Sequence, residues 1–422
     1  MIKHFLGVFI FLFSLQIIAQ KNNSSPYSFF GIGDEAVQKS AEEITMGRIG
    51  TAFNSNHQMT FSNPASLSYL QLTNYTIAGE YKGIRINDGT KAGSASSTAL
   101  SYFALGIPLA RRTGLSLGIQ SNTAVGYSLQ EQFKNNEGEL IELNDFHGEG
   151  GTNRVFMGLG YRLPFNLSLG IEAAYVFGNI KNRLLNRKLG VQLATMHKTE
   201  ATITGFSTKA GLQYHKNLDK NLTLKAGAAI TFQNNLSTEG DELLYSLYSR
   251  DDEVEIPRDT VVNNSFRSTV TKPLNTQLGA GIGKENKWYA GIEYSFRDNL
   301  QYSNEVLTKN KNIKYIKSNY LGFGGYYLPD INSITSYWKR VTYMAGAHFS
   351  STGLEVNGNA INEFGISFGV GLPISKQLSN LNAGIEFGKR GKLKNSLIKE
   401  NYINFRLSLT LSDKWFRKRT IN

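Results

Sequence analysis

The chain has 422 residues, no cysteine and a formal net charge of +12, with 42 glycines, 8 prolines and 12% aromatic residues. The absence of cysteine excludes disulfides, thiolate metal sites and a lipidated N-terminal cysteine. The basic residues are spread over loops and strand ends rather than gathered in one patch. That pattern suits anionic lipid headgroups, and no nucleic-acid partner is expected.

Residues 1–20 read as a cleaved export signal. Lys3 and His4 make a basic start, Phe5 to Ile18 an apolar run, and Ala19 and Gln20 lead into the polar Lys21-Asn22-Asn23-Ser24-Ser25. Such a run fits a secretory signal and is short for a membrane-spanning helix. No later segment reaches about 18 apolar residues, so no helical span is expected downstream. An exported chain of this size without disulfides needs another source of stability, which a large closed sheet supplies.

Residues 21–70 differ from everything after them. They hold Gly31-Ile32-Gly33-Asp34, a polar stretch with helix-forming residues from Glu35 to Glu43, then Met46 to Phe53 and Asn63-Pro64-Ala65. Pro64 forbids a regular central strand. The stretch reads as irregular chain with short helical turns, packed against or inside the remainder of the molecule.

From Asn74 to Phe416 one theme repeats, because side chains two apart share a face of a strand. Phe364, Ile366, Phe368, Val370 and Leu372 alternate with Gly365, Ser367, Gly369 and Gly371. Ile403, Phe405, Leu407, Leu409 and Leu411 alternate with Tyr402, Asn404, Arg406, Ser408 and Thr410. Leu222 to Phe232 alternate with Thr223 to Gln233 in the same way. About fourteen such strands succeed one another, separated by alternately short and long connections. The short ones are Pro108 to Thr113, Leu163 to Asn166, His215 to Asn221, Lys284 to Lys287, Leu328 to Trp338 and Pro373 to Asn380. The long polar ones are Asn87 to Ser97, Lys134 to Asn153, Leu184 to Glu200, Asn234 to Asn264, Asn299 to Ser318, Thr352 to Ile361 and Lys389 to Glu400.

One face is aliphatic and aromatic and the other small and polar, the reverse of a secreted sandwich. The fold class is therefore all-β, a transmembrane antiparallel β-barrel over residues 71–422. An even strand number leaves both chain ends on the short-turn, periplasmic side. Aromatic residues near inferred strand ends (Tyr69, Tyr75, Tyr81, Tyr102, Phe103, Tyr161, Trp288, Tyr289, Tyr326, Tyr327, Trp338, Trp415 and Phe416) fit interfacial girdles.

Residues 46–70 carry a resemblance. Gly47-Arg48-Ile49-Gly50-Thr51-Ala52 followed by Phe61-Ser62-Asn63-Pro64-Ala65-Ser66-Leu67-Ser68 resembles the FadL/TodX-like (OMPP1) outer-membrane transport family. The resemblance implies fourteen strands and an N-terminal plug, or hatch, over residues 21–70, with Gly47, Arg48, Asn63, Pro64 and Ala65 as its motif. Ser25 to Asp34 looks like the mature start of a Bacteroidota barrel protein. It departs from the transporter pattern, so no ligand-binding residue is carried over.

A Gly-Ile-Glu motif recurs at Gly170-Ile171-Glu172, Gly291-Ile292-Glu293 and Gly384-Ile385-Glu386, with Gly79-Glu80 as a looser copy. Alternation turns the isoleucines to lipid, so Glu80, Glu172, Glu293 and Glu386 face the lumen. Buried carboxylates need partners. Lys209, Lys225, Arg406 and the plug's Arg48 are the candidates, and structural pairing is the leading reading over a polar gate. Gly279-Ala280-Gly281-Ile282-Gly283-Lys284 is not a phosphate loop, since Leu278 replaces the first glycine and no Ser/Thr comes after it. The histidines His4, His57, His147, His197, His215 and His348 show no metal spacing. No catalytic, cofactor or metal residue is expected, and the chain reads as a non-enzyme. The leading functional expectation is passive uptake of hydrophobic, fatty-acid-like molecules. The alternative is a non-transporting barrel subunit, with other outer-membrane proteins or lipoproteins, of a secretion or barrel-assembly complex.

Overall fold

The computed structural model describes residues 25–219, 222–248, 257–303, 313–374, 379–393 and 397–414. The export signal of residues 1–20, with Trp415 and Phe416, lies outside them.

The strands are β1 (Thr73–Asn87), β2 (Ala92–Ala110), β3 (Thr113–Lys134), β4 (Leu140–Arg162), β5 (Leu167–Lys188) and β6 (Leu193–Asp219). Next come β7 (Leu222–Thr231, resuming as Asn234–Tyr248), β8 (Pro257–Lys272, resuming as Asn275–Lys284), β9 (Trp288–Arg297, then Gln301–Tyr302) and β10 (Ile313–Tyr315, then Ser318–Tyr327). The last four are β11 (Thr342–Val356), β12 (Asn359–Pro373), β13 (Asn380–Arg390) and β14 (Lys399–Asp413). Neighbours pair antiparallel, and β14 returns to β1 from Asp413↔Thr73 to Lys399↔Asn87, which closes the cylinder.

Alternation decides which side chain meets oil. Ile171, Ile292, Phe368 and Phe405 are exposed on the outer wall, whereas Glu172, Glu293, Ser367 and Arg406 are buried inside. Not every aromatic residue expected in a girdle lies there. Tyr75, Tyr81, Phe103, Tyr161, Tyr327 and Trp338 face outward, but Tyr102 and Tyr289 are buried within the lumen. The sequence signal for a strand end does not distinguish the two faces of the ladder.

Several expected loops are strands. Lys134 to Asn153 reads as a long polar connection, yet β3 and β4 stay paired up to Lys134↔Leu140. Thr352 to Ile361 narrows to the turn Asn357-Gly358, both at positive φ (51° and 70°), the conformation of a type I′ hairpin. Past the membrane both sheet faces meet water, so the apolar alternation fades while the hydrogen-bond ladder continues. The height is uneven: β4 and β6 have 23 and 27 residues, against 11 in β13.

The wall also parts between β2 and β3. β2 and β3 pair only from Ala110↔Thr113 to Tyr102↔Gln120. Beyond that β2 continues against β1 alone, and β3 against β4, apart from Thr123 and Ala124, which pair with Glu35 and Asp34.

The N-terminal segment holds a 3-10 turn (Pro26–Phe29), a helix α1 (Ala41–Thr45) and a second 3-10 turn (Pro64–Tyr69). The helical signal from Glu35 to Glu43 is realised only at its end. Glu35 is drawn into the pairing with β3, and α1 starts at a capping box in which Ser40 and Glu43 bond each other's backbone amides.

Phe405 faces lipid near mid-strand. Phe405→Arg is expected to lower barrel stability by about 2–4 kcal/mol, measured by urea titration of the folded, heat-modifiable band in lipid or detergent.

Candidate functional site

The N-terminal segment runs down the lumen from the long-hairpin end to the short-turn end, gripping opposite walls as it goes. At the top, Ser25 donates to Glu400 at 2.5 Å, and the Tyr27 hydroxyl donates to the Ile398 carbonyl at 2.5 Å. Phe29 and Ile32 pack on Val125, Tyr127, Val176 and Ile203 of the tall wall. Asp34 forms a two-pronged pair with Arg390, both contacts at 2.8 Å. Glu35 crosses to the other side and meets Lys272 at 2.8 Å and Arg297 at 2.6 Å.

The centre is built on Gly47-Arg48. Both residues have positive φ (74° and 58°), which only glycine adopts without cost. Glycine is required at 47 for a second reason. A Cβ at 47 would collide with the backbone of Phe323 on β10 and Ala347 on β11, and the bare Gly324 and Gly346 beside them leave room in turn for the backbone of Met46 and Gly47. The Gly47 amide donates to the Ser367 hydroxyl at 3.1 Å, and the Tyr320 hydroxyl sits between the carbonyls of Gly47 (2.6 Å) and Arg48 (2.8 Å). This grip places the Arg48 guanidinium between Glu386 (2.7 Å) and Glu363 (2.9 Å). Glu363 also accepts from the Tyr402 hydroxyl at 2.6 Å and lies 3.3 Å from His348 Nε2.

His348, Glu363 and Glu386 bring their ligand atoms within 4.8 Å of one another, a grouping that chain spacing does not reveal. The Arg48 guanidinium already balances the two carboxylates there, as a bound cation would.

Two further carboxylates take the backbone of the segment. Glu293 accepts the Gly50 and Thr51 amides at 2.7 and 2.8 Å and the Lys39 ammonium at 2.6 Å. Glu43 accepts the Phe61 and Ser62 amides, each at 3.1 Å. Lower down, Asn63 donates to the carbonyls of Thr51, Leu212 and Ala228, while its own oxygen accepts the Ala65 amide at 3.0 Å. Pro64 opens the second 3-10 turn, and the backbone of Pro64 and Ala65 lies on Gly170, where a Cβ would collide with it.

The wall charges form their own chain. Glu172 pairs with Arg154 at 3.0 Å and Lys209 at 3.6 Å, and Lys209 donates to the Phe61 carbonyl at 3.2 Å. Arg406 joins Glu80 at 2.8 Å to Glu386 at 3.4 Å. Lys225 departs from the expected pairing. It donates to the side chain and carbonyl of Asn54 at 2.7 and 3.1 Å and lies over the rings of Phe53 and Tyr289. Sequence reasoning misses Arg154, Glu363, Lys39, Glu43, Asp34 and Arg390. Arg154 and Glu363 carry a usable signal, since each shares the small, lumen-side parity of its strand.

Two cavities, of about 350 and 340 Å³, lie on either side of α1 and the Gly47-Arg48 turn. The lower one is lined by Asn54, His57, His215, Lys225 and Glu285. The upper one touches Arg48, Glu80, Glu363, Arg390 and Arg406 and reaches the parting of β2 and β3 at Leu100 and Gln120. They share no lining residue.

Comparison with known proteins decides the family. A family model described as BamG matches residues 1–422. The chain belongs to the BamG family. No curated protein matches it. Among solved structures, this BamG-family barrel resembles the Pseudomonas putida toluene transporter TodX, with TM-score 0.60 and 15% identity over 90% of this chain and 100% of that one. It also resembles the CymD monoaromatic hydrocarbon channel, with TM-score 0.58 and 15% identity over 91% and 100%. A Pseudomonas aeruginosa FadL homologue gives TM-score 0.57 and 13% identity over 92% and 100%. At such identities the likeness concerns the fold, a FadL-like barrel of the outer membrane.

Removing Arg48 leaves Glu363 and Glu386 buried and short of positive charge. Arg48→Ala is expected to destabilise docking of the segment by about 3–5 kcal/mol, with Arg48→Lys milder, read as faster proteolysis within residues 25–70.

Burial pushes the Glu42 carboxyl up to about 7. Docking therefore retains the proton between the ordinary carboxylate range and pH 7. The Glu42 contribution to stability is therefore fully present at low pH, falls as pH rises through that window and is lost above it. Thermal melting from pH 5 to 8 should show the wild type losing stability relative to Glu42→Gln as pH rises, so that the difference between the two melting curves carries the Glu42 titration.

Proposed function

We propose that this barrel is a closed, non-conducting subunit of a larger outer-membrane assembly for protein secretion or barrel insertion. In this reading residues 21–70 are a permanent plug, delivered after removal of the export signal in residues 1–20. The observation that carries it is the occupied lumen. Buried carboxylates on β9 and β13 hold the segment by ion pairs and main-chain hydrogen bonds, and it separates two lumen cavities that share no lining residue and are each lined by charged groups as well as apolar ones. A hydrophobic solute there would have to strip water from charged groups such as Lys225, Arg48 and Arg406. A binding pocket for such a solute is ordinarily apolar. The one-sided extension of β3 to β8 supplies a surface for partners outside the membrane, and membership of the BamG family accords with a role other than transport.

The second reading, passive uptake of fatty-acid-like molecules, is favoured by the parting of β2 and β3. It adjoins the upper cavity and gives a side route between lumen and bilayer. Two of the similar solved structures are named as hydrocarbon channels or transporters.

Solubilised native membranes separate the two. The assembly reading expects the barrel to migrate in a stoichiometric complex with other outer-membrane proteins. It also expects proteoliposomes of the purified barrel to take up labelled oleate no faster than empty liposomes. A lone barrel that accelerates oleate entry would overturn it.

A further inference from the structure

A patch on the outer wall stands apart from the lumen. β13, β14 and β1 are neighbours, and their register sets Lys389 opposite Asn401 and Asn401 opposite Arg85. All three are exposed and share parity with the lipid-facing Phe387, Ile403 and Tyr81. Lys399, two residues above Asn401 on the middle strand, has the same parity. Three cations thus surround one asparagine. None of them has an ion-pair partner among the described residues, unlike the lumen cations Arg48, Arg154 and Arg406.

The depth of the patch is set by strand geometry. Tyr75, at the inner end of β1, and Arg85 lie on one face of the strand. Ten residues cover roughly 33 Å along a strand, and a tilt of about 40° turns that into about 25 Å of height, which matches the apolar band of an outer-membrane barrel. Arg85, Lys389 and Lys399 therefore sit level with the headgroups of the outer leaflet.

Directly beneath them the wall is notched. Gly83 has no side chain, and the nearest atoms to where a Cβ would be belong to the Tyr81 side chain and the Ile403 carbonyl, no closer than 3.7 Å. Across the next strand the small Ser96 is its partner. Tyr81, Ile366, Phe387, Ile403 and Phe405 border the resulting groove. Hydrocarbon fits the groove, and phosphate fits the row above it.

We propose that this face binds a phosphorylated, multiply acylated lipid of the outer leaflet, with acyl chain in the Gly83 groove and phosphate on Arg85, Lys389 and Lys399. Neither half alone selects this occupant. A phosphate without a chain forgoes the groove, and a zwitterionic lipid brings its own cation to the row.

Native mass spectrometry of the purified full chain in detergent tests this, with bisphosphorylated lipid A as probe and phosphatidylcholine and inorganic phosphate as controls. The wild type should retain lipid A and not phosphatidylcholine, and inorganic phosphate should compete poorly. R85Q/K389Q/K399Q should weaken lipid A retention about tenfold or more. Gly83→Leu, which keeps every charge and fills the notch, should also weaken it, so the proposal does not hang on one variant's folding. Substituting Lys181 and Lys188, away from the groove, should change nothing. Undiminished binding by the folded triple variant or by Gly83→Leu, or equal retention of phosphatidylcholine, would overturn the assignment.

Discussion

Closure of the backbone ladder is the constraint on which every other feature of this barrel depends. In hydrocarbon an unpaired amide or carbonyl costs several kcal/mol, so a sheet can stand there only if its last strand finds its first. The union of β14 with β1 meets that demand and leaves a cylinder with an inside. The inside must then be filled, and fourteen strands enclose more space than their own side chains occupy. The N-terminal segment fills it. Apart from Asp34 and Glu35, which pair with β3 where it has left β2, its backbone meets a ladder that is already complete, so its amides turn to side chains instead. Glu293, Glu43, Ser367 and Asn63 take the roles that neighbouring strands play elsewhere.

That arrangement explains why the lumen carries both bare glycines and charges. Glycines on the inner face of β5, β10 and β11 let one backbone touch another. The charges then fix depth and rotation, because Arg48 can reach Glu363 and Glu386 in one seating only. Paired groups of this kind add little net stability over an apolar core, yet losing one member is costly. Their contribution here is to define a single position for the segment.

Much of the barrel is legible in the sequence, for a simple reason. Between oil and lumen a strand has two chemically opposite sides, and stretches such as Phe364 to Leu372 declare them residue by residue. The signal fails where the two sides become alike, which is why the extensions of β3 and β4 past the membrane read as loops. It fails again where parity slips, as at Asn122, which the β3–β4 register skips. The lumen is legible only as residue types. The recurring Gly-Ile-Glu marks carboxylates on the inner face, but no local pattern says that Arg48 meets a carboxylate 338 positions away, or that Lys225 settles on an amide and two rings. Partnership across the lumen is a property of closure, and closure has no local sequence mark.

The unequal stature of the strands has a geometric outcome. A cylinder of uniform height presents the same profile from every bearing, and nothing determines how it is turned about the membrane normal. With β3 to β8 raised, this one has a front and a back. Whatever rests against the raised side sets the azimuth of the whole molecule, and with it which flank each neighbour in the bilayer must meet.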